Sequence, residues 1–238
     1  MKLAHLFKKS KKHLSPLQFI AAEEARQRHE LTKGEIKHRM ERIEHDFHLA
    51  FKLLKGHPST VSFFGSSVLP QNGKYCLQAR ELARRIVAEL GLTVVSVAGP
   101  GIMEAANRGA YEAHGDSVGM AIQLPHEQDT NHYVTRSADF YYFFSRKMAL
   151  TFTARAYIFF PGGYGTLDEL FEILTLKKTG KIPHIPIILV GSDFWKPLDE
   201  FLKNDVYKTG TITKADMDLY RITDDLDEVV RRIAGKTH

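Results

Sequence analysis

The chain has little of several features that mark whole classes of protein. It holds a single cysteine, Cys76, which excludes an internal disulfide and fits a reducing, cytoplasmic location. No apolar run approaches the length that a membrane-spanning helix needs. Residues 1–13 are basic, but no apolar core follows them, so a secretory signal is not expected. We therefore predict a cytoplasmic protein without a membrane partner.

The glycine signatures of two common nucleotide sites are also absent. A dinucleotide site needs the spacing G-x-G-x-x-G. The third glycine is replaced by Glu104 after Gly99 and Gly101, and by Asp168 after the glycines at 163 and 165. No phosphate-binding lysine of the P-loop type follows the glycines. Binding of NAD and hydrolysis of ATP are therefore disfavoured, and we expect no cofactor.

The 12 histidines do not form a metal-binding pattern. Seven of them lie in residues 1–58, where His45 and His48 are predicted on a polar helix face. Structural zinc sites need a set of ligands at close, regular spacing, and no such set joins these histidines. We expect no metal site.

The net charge of +5 is unevenly distributed along the chain. Residues 1–58 contain 13 Lys and Arg against 7 Asp and Glu, whereas residues 59–238 contain 20 against 21. The basic run at 8–12 could contact nucleic acid or lipid, but such runs are more often solvated tails. We therefore divide the chain into a basic helical N-terminal extension, 1–58, and a main domain, 59–238, and expect no nucleic-acid partner.

A helix is predicted within the extension. Thr32 and Glu35 have the S/T-x-x-E spacing of a capping box, and the Gly-His-Pro sequence at 56–58 ends the segment. Between them, apolar residues recur every three to four positions, as on one face of a helix: Ile36, Met40, Ile43, Phe47, Phe51 and Leu54. This face must cover the main domain or a partner subunit, and we expect a homodimer or a larger homo-oligomer.

From residue 59, short apolar strands alternate with helices. The predicted strands are 61–64, 93–97, 118–124, 140–144, 156–160 and 185–190, and helical spacing marks 82–90 and 103–114. Such strands indicate a parallel sheet covered on both faces. The predicted fold is therefore α/β, a Rossmann-like doubly wound parallel sheet with helices on both faces. Ligands of such sheets bind outside the carboxyl ends of the strands, where the loops at 65–67, 98–101 and 161–166 fall.

The most informative loop is the sequence P-G-G-Y-G-T-L-D-E at 161–169. It joins the strand predicted at 156–160 to a helix predicted from 167 to about 178. Backbone N–H groups at such a turn, with the positive end of the helix dipole, favour an anion such as phosphate. Glu169 then lies one helical turn from the anion, which indicates chemistry on a phosphorylated sugar.

Glu169 also has a purely structural interpretation. Thr166 and Glu169 match a capping box, in which the glutamate only closes the start of the helix. On a helical projection Leu167, Leu170, Phe171 and Leu174 share one face, and Glu169 lies almost opposite, away from the sheet and toward the mouth of the glycine loop. This projection favours a catalytic or ligand-binding role, with the cap as the alternative.

Arg146 and Lys147 fall at the start of a helix predicted over 145–155, directly after the strand predicted at 140–144. Basic pairs are usually solvated surface charges. Their place at the carboxyl end of a strand favours contact with a phosphate or ribose instead, and arginine suits bidentate anion binding better than lysine. The aromatic run at 141–144 could be a stacking surface, but a buried strand is the favoured interpretation.

These motifs resemble the LOG (LONELY GUY) family of cytokinin riboside 5′-monophosphate phosphoribohydrolases. The resemblance covers roughly residues 60–195. It rests on P-G-G-x-G-T-x-x-E at 161–169, the preceding Arg146 and Lys147, the loop at 65–67 and G-P-G-I-M-E-A-A-N at 99–107. Ala98 departs from the pattern, because relatives usually continue a glycine run there. Longer members of the family carry N-terminal helices such as those predicted here.

The resemblance implies a Rossmann-like catalytic domain that hydrolyses a nucleoside 5′-monophosphate, either AMP or a cytokinin riboside monophosphate, to free base and ribose 5-phosphate. It implies Arg146 and Glu169 as the catalytic pair. The implied substrate-binding residues are Gly65, Ser66, Gly101, Glu127, Lys147, Gly163, Tyr164, Gly165, Thr166, Leu167, Asp168 and Thr175.

Other functions stay open on the sequence. A non-catalytic protein of the same fold could bind a nucleotide or a phosphorylated cofactor, and molybdenum-cofactor carrier proteins broadly resemble this pattern. The presence of both Arg146 and Glu169 favours the enzyme. The basic N-terminal helices could instead form a nucleic-acid or membrane adaptor. Many members of the family bear the label lysine decarboxylase, but that chemistry needs a pyridoxal-phosphate lysine, and no local sequence identifies one.

Overall fold

Seven strands form one parallel sheet in the computed structural model, which describes residues 32–123 and 130–235. The strands are β1 Thr60–Phe64, β2 Thr93–Ser96, β3 Ser117–Ile122, β4 Arg136–Phe140, β5 Ala154–Phe159, β6 Ile187–Leu189 and β7 Arg221–Ile222. The α-helices, numbered within the same ranges, are α1 Lys33–Leu54, α2 Lys74–Leu90, α3 Ile102–Glu112, α4 Phe143–Ala149, α5 Tyr164–Lys178, α6 Ser192–Phe201 and α7 Leu226–Ile233.

The strand order is β4-β3-β2-β1-β5-β6-β7, and all neighbouring strands are parallel. The chain therefore winds outward from β1 in one direction and then, from β5, in the other. The order reverses between β1 and β5, so the loops after these two strands open into the same crevice, where doubly wound sheets bind ligands. The predicted α/β fold is confirmed.

Apolar side chains leave the strands on both faces, because successive residues of a strand point in opposite directions. Val61 and Phe63 of β1 belong to the core that α2, α3 and α7 cover. Phe64 belongs to the core that α1, α4, α5 and α6 cover. The sheet is thus buried on both sides, which explains why its central strands are apolar throughout.

Helix α1 begins at the predicted capping box. The backbone N–H of Glu35 donates to Thr32 Oγ1 at 3.2 Å, and the backbone N–H of Thr32 donates to the Glu35 carboxylate at 2.9 Å. The end of the helix packs on the sheet through Ala50 and Leu54. Three members of the predicted apolar face are exposed by about half: Ile36, Met40 and Phe51. The basic run at 8–12 lies outside the described residues, and the division of the chain at residue 58 stays a prediction.

The strand predicted at 140–144 is wrong. Strand β4 ends at Phe140, and α4 begins at Phe143. The aromatic run predicts a buried strand, but Phe143 and Phe144 are 55 % and 45 % exposed. The real strand is the edge of the sheet and alternates exposed polar residues with buried Ala138 and Phe140, so it lacks the apolar run that marked the other strands.

Several other predicted boundaries differ as well. The helix predicted over 145–155 is the shorter α4, because β5 already begins at Ala154. Helix α5 begins at Tyr164, three residues before the predicted start. The sequence did not predict α6, β7 or α7.

Candidate active site

Three loops meet at the carboxyl ends of β1, β2 and β5. The backbone N–H of Ser66 donates to the Pro161 carbonyl, and the backbone N–H of Ile102 donates to the Ser66 carbonyl, both at 3.0 Å. Gly101 has a φ of 67°, and a Cβ there would run into the Ser66 carbonyl. Only glycine fits this position, so Gly101 serves the packing of the loops.

The loops enclose a cavity of about 450 Å³, within the size range of small-molecule sites. Residues from all three loops, from the end of β3 and from α4 and α5 line it. It contains seven of the residues that the sequence implicates: Gly65, Ser66, Arg146, Gly163, Gly165, Thr166 and Glu169.

The start of α5 points at the cavity. Its N-cap is Gly163, which makes no side-chain capping bond. A capping box between Thr166 and Glu169 would need Thr166 at the N-cap, so this alternative is wrong. The Gly163 carbonyl accepts the N–H of Leu167 at 3.1 Å. The three N–H groups before Leu167 have no acceptor within the helix. They lie at the positive end of the helix dipole, which favours an anion.

The glycines of this turn have two different roles. A Cβ at Gly162 would run into the side chain of Thr166, so Gly162 is required for packing. A Cβ at Gly163 or Gly165 would meet no heavy atom within 4 Å. Both glycines line the cavity, so their missing side chains leave room for a ligand.

Glu169 lines the cavity together with Gly163 and Gly165, so it faces the glycine loop as predicted. The projection did not predict its burial: the buried residues of α5 are Thr166, Glu169, Leu170, Ile173 and Lys177. The projection defined the inner face by the leucines alone, whereas this helix lies partly over a polar cavity. Burial raises the pKa of Glu169 to about 7, although nearby Arg146 opposes the rise.

Arg146 extends from α4 into the same cavity and is 7 % exposed. Its Nη2 lies 3.5 Å from Glu169 Oε1, the outer limit of a hydrogen bond. Its buried Nε has no hydrogen-bond partner among the described residues. Burial lowers the pKa of Arg146 while Glu169 raises it, and an arginine stays charged in either case. A buried cation with an unused donor beside a cavity is suited to a negatively charged or oxygen-rich ligand.

Lys147 lies outside the cavity and pairs with two carboxylates. Its Nζ is 2.9 Å from Asp168 and 2.9 Å from Glu172. Burial lowers the pKa of Lys147, but the hydrogen bonds to Glu172 and Asp168 raise it by more, so its net pKa is above the ordinary value. The structure therefore joins two implied substrate-binding residues, Lys147 and Asp168, to each other.

Three more implied residues that the structure describes do not line the cavity. Tyr164 is 94 % exposed, and Leu167 is partly buried against the core. Thr175 is exposed, and its hydroxyl donates to the Phe171 carbonyl at 2.7 Å. Glu127 lies outside the described residues. Substrate contacts by these residues stay predictions.

The sequence missed the apolar part of the cavity wall. Val68, Met103, Ile122 and Phe143 all line it. Val68 directly follows a loop that the sequence did single out. Phe143 belongs to the aromatic run whose pattern predicts a buried strand and not a cavity wall. Its ring centroid lies 5.0 Å from Cζ of Arg146. These side chains give one part of the cavity the apolar character that a flat heterocyclic base would need.

Ala98, the departure from the family pattern, also lines the cavity. It has a φ of 60°, in the left-handed region that favours glycine. Asn131 stabilises this conformation, because its backbone N–H and side-chain Nδ2 donate to the Ala98 carbonyl at 3.0 and 3.1 Å.

The described ranges contain neither a metal-binding cluster nor a membrane-spanning helix. No group of three or more His, Cys, Asp and Glu there is placed to hold a metal ion. No helix in those ranges is both long and apolar enough to span a membrane.

A sequence model of the protein family described as "possible lysine decarboxylase" matches residues 103–233. The chain belongs to this family, the LOG family. The match includes Arg146 and the whole 161–169 motif. The description would imply a pyridoxal-phosphate lysine, but none of the described residues that line the cavity is a lysine. Lys147, which follows Arg146 in the sequence, forms ion pairs with two carboxylates. The site therefore does not fit that cofactor.

Two curated relatives are named as enzymes that cleave nucleoside 5′-monophosphates. The chain is 24 % identical over 180 residues to a cytokinin riboside 5′-monophosphate phosphoribohydrolase of Rhodococcoides fascians, covering 74 % of this chain and 89 % of the relative. It is 31 % identical over 174 residues to a pyrimidine/purine nucleotide 5′-monophosphate nucleosidase of Escherichia coli K12. That match covers 63 % of this chain but only 36 % of the longer relative.

Among solved structures, the molybdenum cofactor carrier protein of Chlamydomonas reinhardtii shares the fold. Its TM-score is 0.54 at 17 % identity, over 75 % of this chain and 97 % of the carrier. The molybdenum cofactor binding protein of Rippkaea orientalis gives 0.51 at 18 % identity, over 74 % of this chain and 94 % of that protein. At such identities the likeness shows the fold alone.

Proposed function

We propose that this LOG-family protein hydrolyses the N-glycosidic bond of nucleoside 5′-monophosphates and releases the free base and ribose 5-phosphate. The observation that carries the proposal is the pairing of buried Glu169 with buried Arg146 in one cavity, beside the start of α5. The names of the two curated relatives support the same reaction. Choice of base, whether adenine, an N6-modified adenine or another, is left to the assay below.

The 5′-phosphate is assigned to the start of α5. Three N–H groups of the first helical turn and the hydroxyl of Thr166 are its donors, and the open space at Gly163 and Gly165 accommodates it. Hydrogen bonds to charged groups contribute about 1.5–3 kcal/mol each. Three or four of them could supply most of the roughly 8 kcal/mol that a micromolar affinity requires.

The reaction breaks the bond between C1′ and the base nitrogen. Positive charge then develops on the ribose, as in glycosidases, and water adds to C1′ while the base leaves with a proton. Glu169 lies one turn along α5 from the phosphate donors, where its carboxylate can stabilise that charge, orient the sugar hydroxyls or activate the water. A carboxyl group with a pKa near 7 is matched to proton transfer at neutral pH. Arg146 serves as a clamp on the phosphate or as a donor to the departing base.

The decisive experiment is to incubate the purified chain with AMP, other nucleoside monophosphates and isopentenyladenosine monophosphate. Chromatography then measures the free base. Release of base from at least one of them supports the proposal. If nucleotide binds but no base appears, the carrier alternative stands in place of the enzyme.

Two substitutions separate chemistry from binding. Glu169→Gln should lower kcat by roughly 10²-fold or more, the scale of general acid–base catalysis, with a small change in nucleotide affinity. Thr166→Val keeps the side-chain shape that packs on Gly162 and should mainly weaken binding.

The matched control is Glu172→Gln, which removes a carboxylate from the same helix outside the cavity wall described above. It should retain turnover within about threefold, because substitutions away from special structural features usually change free energies by only about 0.5 kcal/mol. Wild-type turnover in Glu169→Gln would remove Glu169 from the mechanism. The homo-oligomer, the cytoplasmic location and the absence of a nucleic-acid partner stay predictions.

A further inference from the structure

Asp46 is a buried carboxylate whose hydrogen-bond partners among the described residues lie between β4 and Arg146. It belongs to α1 and is 1 % exposed. Its Oδ1 accepts the backbone N–H of Tyr141 at 3.0 Å, and its Oδ2 accepts the backbone N–H of Tyr142 at 3.0 Å. The hydroxyl of Ser145, the residue before Arg146, donates to Oδ2 at 2.5 Å.

We propose that Asp46 is a positioning residue for Arg146. Its carboxylate fixes the turn from which α4 starts, and thereby sets where the guanidinium lies in the cavity. The inference rests on the proposed function, in which Arg146 contacts the substrate. It assigns to the N-terminal extension a part in the active site that the motifs of the main domain did not reveal.

Arg146 needs such support because its own contacts are weak. One polar contact, at 3.5 Å, joins it to Glu169, and its Nε has no partner among the described residues. The aromatic ring near it, Phe143, belongs to the same helix. The position of the guanidinium therefore depends on the position of α4.

Helix α4 depends on tertiary contacts for its position. It spans Phe143–Ala149, and its N-cap Tyr142 makes no side-chain capping bond. A helix of two turns is unstable without tertiary contacts. Asp46 supplies three charge-assisted hydrogen bonds to this turn, which are stronger than neutral ones. Arg42, one turn earlier in α1, also contacts the turn, with its guanidinium 4.0 Å from the ring centroid of Tyr141.

The test is a double-mutant cycle on full-length protein with AMP as substrate. Asp46→Asn keeps the shape but leaves only one acceptor oxygen, and its amide group would face backbone donors. We expect kcat/KM to fall by about 10- to 100-fold, the effect of a misplaced catalytic group. In an Arg146→Ala background the same change should have almost no further effect. Equal losses in both backgrounds would mean that Asp46 supports only the general fold, and the proposal would be wrong.

Two controls on α1 separate positioning from loss of stability. Glu44→Gln removes an exposed carboxylate two residues away and should leave kcat/KM unchanged. Leu54→Ala removes a buried side chain of α1 and keeps the contacts of Asp46. It should lower the free energy of unfolding while kcat/KM of the folded protein stays within about twofold. A loss in Leu54→Ala as large as that in Asp46→Asn would contradict the proposal.

Further measurements keep the outcome decisive. If Asp46→Asn does not fold, Ser145→Ala replaces it in the same cycle, with an expected loss of about threefold from the removal of one hydrogen bond. If the wild type cleaves none of the nucleotides, the proposed reaction fails, and the cycle is read from AMP affinity by calorimetry. A crystal structure of Asp46→Asn, or of Ser145→Ala, decides in either case. An unmoved α4, with Arg146 at its wild-type distance from Glu169, overturns the inference.

Discussion

At the scale of single residues, Glu169 is expected to make the stability of the chain depend on pH. Burial raises its pKa to about 7, against about 4.3 in an unfolded chain. The protonated carboxyl group therefore makes its full contribution to the free energy of unfolding below about pH 4. This contribution is lost as the pH rises through 7. Glu169→Gln does not ionise, so its free energy of unfolding relative to wild type should rise between pH 4 and 7, by on the order of 1–3 kcal/mol.

Urea unfolding of both proteins between pH 5 and 8 measures this difference. Glu228→Gln is the control, because hydrogen bonds, first of all from Thr223, lower the pKa of Glu228 to about 2. Glu228 is therefore ionised in both states across that range, and its difference from wild type should be constant. A constant difference for Glu169→Gln as well would show that the carboxyl group is solvated.

At the scale of elements, the start of α5 should gain stability at the expense of function when Gly165 is replaced. Gly165 lies in the first turn of the helix, and a Cβ there meets no heavy atom within 4 Å. Alanine is favoured over glycine in helices by about 0.8–1 kcal/mol. Gly165→Ala should therefore raise the free energy of unfolding by somewhat less than this, since helix ends respond weakly. Its methyl group would enter the cavity and weaken AMP binding about tenfold, or about 1.4 kcal/mol.

Calorimetric titration with AMP and urea unfolding test the two effects together. Gly34→Ala is the matched control, because Gly34 lies in the exposed first turn of α1 and does not line the cavity. It should raise stability similarly and leave AMP binding unchanged. Undiminished AMP affinity in Gly165→Ala would place the phosphate elsewhere.

Elements were predictable where local pattern and tertiary environment agreed. The central strands are buried on both faces, so they are apolar throughout, and the glycine loops at their carboxyl ends were placed correctly. The edge strand β4 and the helix after it were not predicted correctly, because the exposed aromatic residues there have the apolar pattern of a buried strand. The burial of Glu169 could not be read from α5 alone, since its partner Arg146 comes from another element.

At the scale of the whole molecule, the strand order brings the informative loops together. The sequence predicted a doubly wound sheet with a site at the carboxyl ends of its strands, and the reversal between β1 and β5 joins Ser66 to Pro161 there. The local sequence pattern does not predict contacts between residues that lie far apart in the chain. Asp46 is the clearest example, because its partners at Tyr141 and Tyr142 are backbone groups, and any residue type except proline at those positions would offer the same donors.

The expected homo-oligomer can be tested at the exposed aromatic surface of the molecule. Phe51 of α1 is 57 % exposed and stacks on Phe152, which is 38 % exposed, with ring centroids 5.1 Å apart. Exposed apolar patches of this kind often mark protein contacts. We expect light scattering at micromolar concentration to give at least twice the 27.0 kDa of one chain.

Phe51→Ser should weaken that association strongly, because a two-fold symmetric contact loses the same side chain twice. Burial of a phenylalanine contributes about 1.5 kcal/mol or more per copy, so two copies raise the dissociation constant about 100-fold. Lys52→Ser, an exposed neighbour on the same helix, should leave the mass unchanged. If Phe51→Ser keeps the wild-type mass across dilution, the subunits meet elsewhere, and a wild type of 27.0 kDa at every concentration would refute the oligomer itself.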